Sequence, residues 1–327
     1  MKRQFKVGKI IFIIVILILV LVFLFSGLQV LESTIFSKVE TQEIVNNKKT
    51  ITRGEDRYFP RQDINVFLLM GIDKEGPVEE SGSYNNDGAA DTVMLLVFDE
   101  KDETFSIINI NRDTMLDMTI LGIGGKPAGT YYGQLALSHT YGTGMEDSCE
   151  NTRDAVSELF YGITIDHYLS MNMDAIGILN DLVDGVTVNV EEDFSAVDPT
   201  ITQGELKLKG DQALSYVRMR KDVGDQLNVS RMERQNEYLD GFMEALKVKL
   251  VAYPNFVIQS YDEVYDYIVT DCSSKTLSSL MERYKDYTFK EMITLEGENK
   301  EGAAYMEFYL DEKALDELIL STFYKKK

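Results

Sequence analysis

The stretch Ile64-Asn65-Val66-Phe67-Leu68-Leu69-Met70, stopped by Gly71, decides the fold. An almost wholly apolar run of this length, closed by glycine, is short for a helix and reads as a buried strand. Thr92-Val93-Met94-Leu95-Leu96-Val97-Phe98 is a second such run and residues 104–110 a third, with Asp99-Glu100-Lys101-Asp102-Glu103 as the hairpin turn between them. Strands this apolar belong to a central sheet covered on both faces.

Downstream, Asp147 or Ser148 caps a helix running to about Phe160. Residues 165–171 return as a strand, 174–183 as a helix and 185–190 as a strand. A short helix over 206–217 and a long one over 231–250 follow. Alternating elements point to an α/β fold, a mixed central β-sheet with helices on both faces. Beyond Pro254 the composition changes little. A helix over 276–283, an extended stretch over 306–310 and a closing helix over 312–323, begun by Asp311, suggest that residues 251–327 pack back on the domain formed by 63–250.

Upstream, residues 10–31 carry no charge, and at about 1.5 Å per residue they cross the roughly 30 Å core of a bilayer as one helix. Lys2, Arg3, Lys6 and Lys9 precede this segment and Glu32 follows, so residues 1–9 are expected in the cytoplasm and the rest outside. Ser26-Gly27-Leu28 lacks a clean small-x-small cleavage pair, which favours an uncleaved anchor over a signal peptide. Residues 32–62, polar and without sustained period, read as a juxtamembrane stalk.

The chain has 54 acidic and 33 basic residues, and all the acidic ones lie after residue 31. Such a surface excludes nucleic acid as a partner, since phosphate backbones need basic faces. Cys149 and Cys272 are the two cysteines, which leaves a disulfide open but offers neither a zinc nor a redox motif by spacing. His139 and His167 are far apart in sequence, so a metal is expected on carboxylates. There is no G-x-S-x-G elbow. Gly122-Ile123-Gly124-Gly125-Lys126 reads as plain loop, because Pro127 stands where a phosphate loop needs Ser or Thr and a helix.

Two carboxylates are better placed for chemistry. Asp73 lies just past the first strand and Asp91 at the start of the second, so antiparallel neighbours would bring both to one rim, where they suit Mg²⁺. Taken singly, each is an ordinary turn or cap residue. Of eleven arginines, Arg218, Arg220, Arg231 and Arg234 fall within 17 residues. They flank a helix–loop–helix hairpin that could aim several guanidinium forks at one anion, or simply pair with Asp222, Asp225 and Glu233. Arg112, just beyond the third strand, is a fifth candidate. Together they would make a pyrophosphate clamp.

The chain resembles the LytR-CpsA-Psr family of membrane-anchored enzymes that attach glycopolymers to the cell wall. The likeness runs over residues 63–250. It rests on Leu68-Leu69-Met70-Gly71-Ile72-Asp73, Asp91-Thr92, Ile110-Asn111-Arg112-Asp113-Thr114 and Tyr161-Gly162-Ile163-Thr164-Ile165-Asp166-His167-Tyr168. It continues in Leu182 to Val190 and, most specifically, in Gly210-Asp211-Gln212-Ala213-Leu214-Ser215-Tyr216-Val217-Arg218-Met219-Arg220, followed by Arg231, Arg234 and Gln235. Ala89 and Ala90 stand where the family often has arginine.

The resemblance implies a polyprenyl-pyrophosphate-linked glycopolymer, of teichoic acid or capsular polysaccharide type, as donor and peptidoglycan as acceptor. Asp73 and Asp91 would hold Mg²⁺, while Arg112, Arg218, Arg220, Arg231, Arg234 and Gln235 would grip the pyrophosphate. Asp225 is a candidate general base. A lipid-pyrophosphate hydrolase and a non-catalytic surface binder of the same fold stay open as alternatives.

Overall fold

A computed structural model describes residues 50–219, 221–224, 228–253, 256, 260, 263–272, 276, 279, 280, 283, 284, 286–302 and 305–326. The expected cytoplasmic segment 1–9, membrane helix 10–31 and stalk residues 32–49 lie outside the described residues. Among the described residues no helix is long and apolar enough to cross a membrane.

In chain order the strands are β1 (Ile51–Arg53), β2 (Asp56–Pro60), β3 (Ile64–Ile72), β4 (Ala90–Asp99), β5 (Thr104–Ile110), β6 (Met115–Leu121), β7 (Pro127–Gln134) and β8 (His167–Asn172). After these come β9 (Val186–Val190), β10 (Gly204–Leu208), β11 (Ile268–Thr270), β12 (Thr288–Thr294), β13 (Gly297–Glu301), β14 (Met306–Leu310) and β15 (Tyr324–Lys326). The helices are α1 (Glu146–Leu159), α2 (Ala175–Leu182), α3 (Asp211–Arg218), α4 (Asn228–Ala252) and α5 (Glu312–Phe323).

Six strands form the central sheet in the order β11-β8-β3-β4-β5-β12. β3, β4 and β5 run antiparallel in sequence, whereas β8 lies parallel to β3 and β12 parallel to β5, so the sheet is mixed. Alternation along each strand splits the core in two. Phe67, Leu96, Phe98, Phe105 and Leu169 face α2, α3 and α4, where they meet Leu179, Tyr216, Tyr238 and Phe242. Val66, Leu68, Met70, Val93, Leu95, Val97 and Ile108 face the other way, onto Val156 and Phe160 near α1 and Leu315, Ile319 and Phe323 of α5. Burying both faces accounts for the unbroken apolar runs. Each fully buried side chain of this size is worth about 1.5–3 kcal/mol in transfer from water.

Residues 251–327 do more than pack on this domain. They supply the edge strands β11 and β12 on opposite sides of the sheet, and α5 on one face. Asp311 starts α5 as expected, its Oδ1 accepting from Lys313 N at 2.9 Å and Ala314 N at 3.0 Å. Of the expected helix over 276–283, residues 276, 279, 280 and 283 are described and are helical. Residues 51–60, read as the end of a stalk, are instead folded: β1 pairs with β2, and β2 pairs with β15 at the C-terminus.

One further expectation changes and one open point is decided. Residues 206–208 are strand rather than helix, because Glu205-Leu206-Lys207-Leu208 alternates with a period of two and pairs with β9. Gly210, at φ +48°, then turns the chain into α3. Cys149 and Cys272 are both free thiols. Cys149 is buried on the α1 face and Cys272 packs on the opposite face, so the sheet itself stands between them. The glycine-rich loop is, as read, a plain turn, joining β6 to β7 with Gly122 N donating to the Lys126 carbonyl at 2.8 Å.

Candidate active site

Asp73 and Asp91 do meet on one rim, through an irregularity that the sequence does not display. Gly71 of β3 pairs with Thr92 of β4, but Ile72 pairs with Ala90, so Asp91 is the extra residue of a β-bulge. A bulge re-aims its side chain, and here it places a carboxylate at the end of the hairpin ladder. A Cβ on Gly71 would come to 3.1 Å from Thr92 Cβ, so the close approach at the bulge depends on glycine. One step on, Asp73 N donates to the Ala89 carbonyl at 2.9 Å and holds the two chains together past the last strand pair.

Each carboxylate carries an arginine from a different element. β5 ends opposite the start of β4, which brings Arg112 beside Asp91, and Arg112 Nη1 donates to Asp91 Oδ1. Arg218 closes α3, where a cation also complements the helix dipole. Its Nη2 reaches Asp73 Oδ1 at 2.9 Å and its Nη1 reaches Glu75 Oε1 at 2.9 Å. Both guanidinium groups are accessible, with side-chain exposures of 44% for Arg112 and 33% for Arg218, so an incoming anion can reach them. Among the described residues the Oδ2 atoms of Asp73 and Asp91 accept no hydrogen bond. Partly exposed carboxylates of this kind fit Mg²⁺, a hard cation that prefers oxygen ligands and retains water. A third cation, Lys74, lies beside them with Nζ 3.3 Å from Asp87 Oδ1, and it lowers the Asp87 carboxyl below its ordinary range.

The other expected site residues are distributed differently. Arg234 is only 4% exposed. Its Nη1 donates to Glu192 Oε1 at 2.7 Å, its Nε to the Tyr216 carbonyl at 3.0 Å and its Nη2 to the Met219 carbonyl. Expected to grip pyrophosphate, it instead ties α4 to the end of α3, because these partners take up both faces of its fork. Gln235 Nε2 donates to the Val217 carbonyl at 3.0 Å and works on the same joint. These two residues thereby set where Arg218 points. Arg220, Asp225 and the side chain of Arg231 lie outside the described residues.

Sequence reading missed the residues that hold the loop before Asp91. Asn86 Nδ2 donates to the carbonyls of His139 and Gly142, at 2.8 and 3.0 Å, and its Oδ1 accepts from Gly88 N at 2.7 Å. His139 Nδ1 lies 2.7 Å from the Gly88 carbonyl, which can only accept, so Nδ1 carries a proton. Glu75 was missed too. Lone polar residues scattered over 65 positions leave no motif by which to find them.

Burial pulls the His139 pKa down from 6.5 to about 4, with the Gly88 carbonyl opposing the shift. The unfolded chain therefore binds a proton that the folded chain refuses as pH falls from about 6.5 to about 4. At 1.36 kcal/mol per pH unit, the His139 contribution should lower stability by roughly 3 kcal/mol across that window and change no further below it. Urea unfolding of His139→Gln should lack this slope, while acid loss below pH 4, where the Arg61 hydrogen bond lowers the Asp63 carboxyl, should persist. A wild-type midpoint flat between pH 6.5 and 4 would refute the assignment.

Residues 30–322 match the LytR_cpsA_psr family. A polyisoprenyl-teichoic acid–peptidoglycan teichoic acid transferase TagU of Enterococcus faecalis is 32% identical over 181 residues, covering 54% of this chain and 52% of that protein. The TagU of Oceanobacillus iheyensis is 26% identical over 287 residues, covering 86% and 81%. The chain thus spans about half the length of most of the curated relatives it matches. Among solved structures, TagT bound to LI-WTA superposes with a TM-score of 0.56 at 24% identity, covering 80% of this chain and 90% of that one. Bacillus subtilis TagV superposes with a TM-score of 0.57 at 21% identity, covering 80% and 96%. At these identities the superpositions show a shared fold.

Proposed function

Because the chain belongs to the LytR_cpsA_psr family, we propose that it is a membrane-anchored phosphotransferase. It would move a glycopolymer, of teichoic acid or capsular polysaccharide type, from a polyprenyl-pyrophosphate carrier to peptidoglycan. The observation that carries this reading is the pairing of two carboxylates and two accessible arginines, from separate elements, around one bulged rim.

In the proposed step a sugar hydroxyl of peptidoglycan attacks the phosphorus next to the polymer. A new P–O bond forms, the pyrophosphate bridge breaks and polyprenyl phosphate leaves; the hydroxyl proton goes to a base, for which Asp225 is the candidate. Mg²⁺ held by Asp73 and Asp91 would neutralise charge on the pyrophosphate. Arg218 and Arg112 have forks that match phosphate oxygens bidentately, so each can exchange its carboxylate for the donor. Arg234 and Gln235 keep Arg218 in place through the α3–α4 joint. The prenyl tail would lie in an apolar slot between the sheet and the helices. An anchor over residues 10–31 would keep the enzyme at the membrane that holds such a lipid.

The test incubates the purified chain with a lipid-linked glycopolymer, peptidoglycan fragments and Mg²⁺, and follows products by mass. A covalent polymer–peptidoglycan conjugate, lost in EDTA and restored by Mg²⁺, is expected. Free polymer released at the same rate with and without peptidoglycan would make the protein a hydrolase, and no reaction across varied donors and acceptors would refute the transferase.

A further inference from the structure

We propose that His167, Asp271 and Cys272 form a second metal site, for a borderline divalent transition ion of the Zn²⁺ class. Their ligand atoms, one nitrogen, one oxygen and one sulfur, all lie within 4.8 Å of one another. In tetrahedral zinc sites, with bonds of about 2.0–2.3 Å, ligand atoms stand roughly 3.4–3.8 Å apart, so small side-chain rotations close the site. Three protein ligands leave the fourth position to water.

The backbone prearranges this cluster. β11 is antiparallel to β8, with Thr270 opposite Leu169, so the residues just past β11 fall beside the first residue of β8. Asp271 Oδ1 accepts from Tyr168 N at 3.0 Å, which orients the carboxylate. The His167 ring is held against Phe67, with centroids 5.2 Å apart. Its Nδ1 is cut off from solvent and makes no hydrogen bond among the described residues, although Asp271 Oδ1 lies 3.5 Å away. A buried imidazole nitrogen without a partner is costly. A cation between the nitrogen, the carboxylate and the sulfur would give that nitrogen the partner it lacks.

The site is separate from the Asp73–Asp91 rim in place and in chemistry. His167 pairs with Phe67, six residues before Asp73 along β3, so about 20 Å of strand separates the two. The rim offers hard oxygens suited to Mg²⁺, whereas nitrogen and sulfur select softer ions. A metal here would clip the edge strand β11, and the chain that follows it, to the sheet. Sequence spacing hides the cluster, since His167 and Asp271 are over a hundred positions apart.

The proposal stands independently of the transferase reading, and its test has no activity readout. The full chain, purified in detergent and stripped with chelator, is titrated with Co²⁺ in the presence of excess Mg²⁺. One Co²⁺ per chain is expected, with a near-ultraviolet thiolate-to-cobalt charge-transfer band that Zn²⁺ abolishes by displacement. Cys272→Ser should remove the band, Cys149→Ser should keep it, and His167→Asn should weaken binding at least tenfold. Iodoacetamide labelling of Cys272 in the wild-type chain, read by peptide mass, should slow at least tenfold with Zn²⁺ and not with Mg²⁺. Absence of the band, a band that survives Cys272→Ser, or labelling indifferent to Zn²⁺ would overturn the site.

Discussion

Replacing Asp91 by alanine is expected to lower conjugate formation, measured as kcat/KM, by about a hundredfold to a thousandfold, the scale on which removing one preorganised electrostatic group acts. Asp91 is the bulged residue of β4, and its removal takes away a proposed Mg²⁺ ligand and the carboxylate that orients Arg112. Folding should hardly change, because the ion pair is partly exposed and such pairs contribute about 0–1 kcal/mol. Asp91→Asn should be nearly as inactive, since the shape is kept and the charge is lost. The exposed Arg53–Asp316 pair, which joins β1 to α5, provides the control, and Asp316→Ala should leave activity within twofold of wild type. An Asp91→Ala enzyme within tenfold of wild type would remove Asp91 from the proposed chemistry.

Arg234→Met has the largest expected effect on stability. The guanidinium is 4% exposed and satisfies Glu192 together with two backbone carbonyls. Methionine fills much of the space but strands Glu192, whose side chain is 19% exposed. Breaking one partner of a buried pair costs about 3–5 kcal/mol, while replacing both partners by apolar groups is often tolerated. Urea unfolding should therefore show the full loss in Arg234→Met and recovery of at least half of it in Arg234→Met/Glu192→Leu. A residue that only gripped the donor would behave in the opposite way, losing turnover with an unchanged unfolding midpoint. The experiment thus separates the expectation drawn from clustered arginines from the role seen in the fold.

That contrast shows where reading the chain stops being sufficient. The arginine cluster was legible because four guanidinium groups in 17 residues are conspicuous in an acidic chain. Which of them stays accessible on the rim was not, because Arg218 and Arg234 differ in their tertiary neighbours and not in local sequence. Asp73 and Asp91 were legible for a related reason: both sit where apolar runs start or stop, and strand ends gather at sheet rims. The loop clamp of Asn86 and His139 carries no such mark. The two edge strands showed least, since β12 is largely exposed and β11 has only three residues, so neither makes a buried apolar run.

By itself the sequence determined the elements whose pattern is local. The three central strands and the closing helix with its Asp311 cap follow from periodicity, punctuation and residue type within short windows, and the motifs that carry the family resemblance are likewise short and local. Tertiary structure alone decided the bulge at Asp91, the sorting of arginines between rim and core, the pairing of β2 with the C-terminus and the meeting of His167 with Asp271 and Cys272. Each of these depends on contacts between residues far apart in the chain, and short-range rules of conformation say nothing about them until the sheet has set its register.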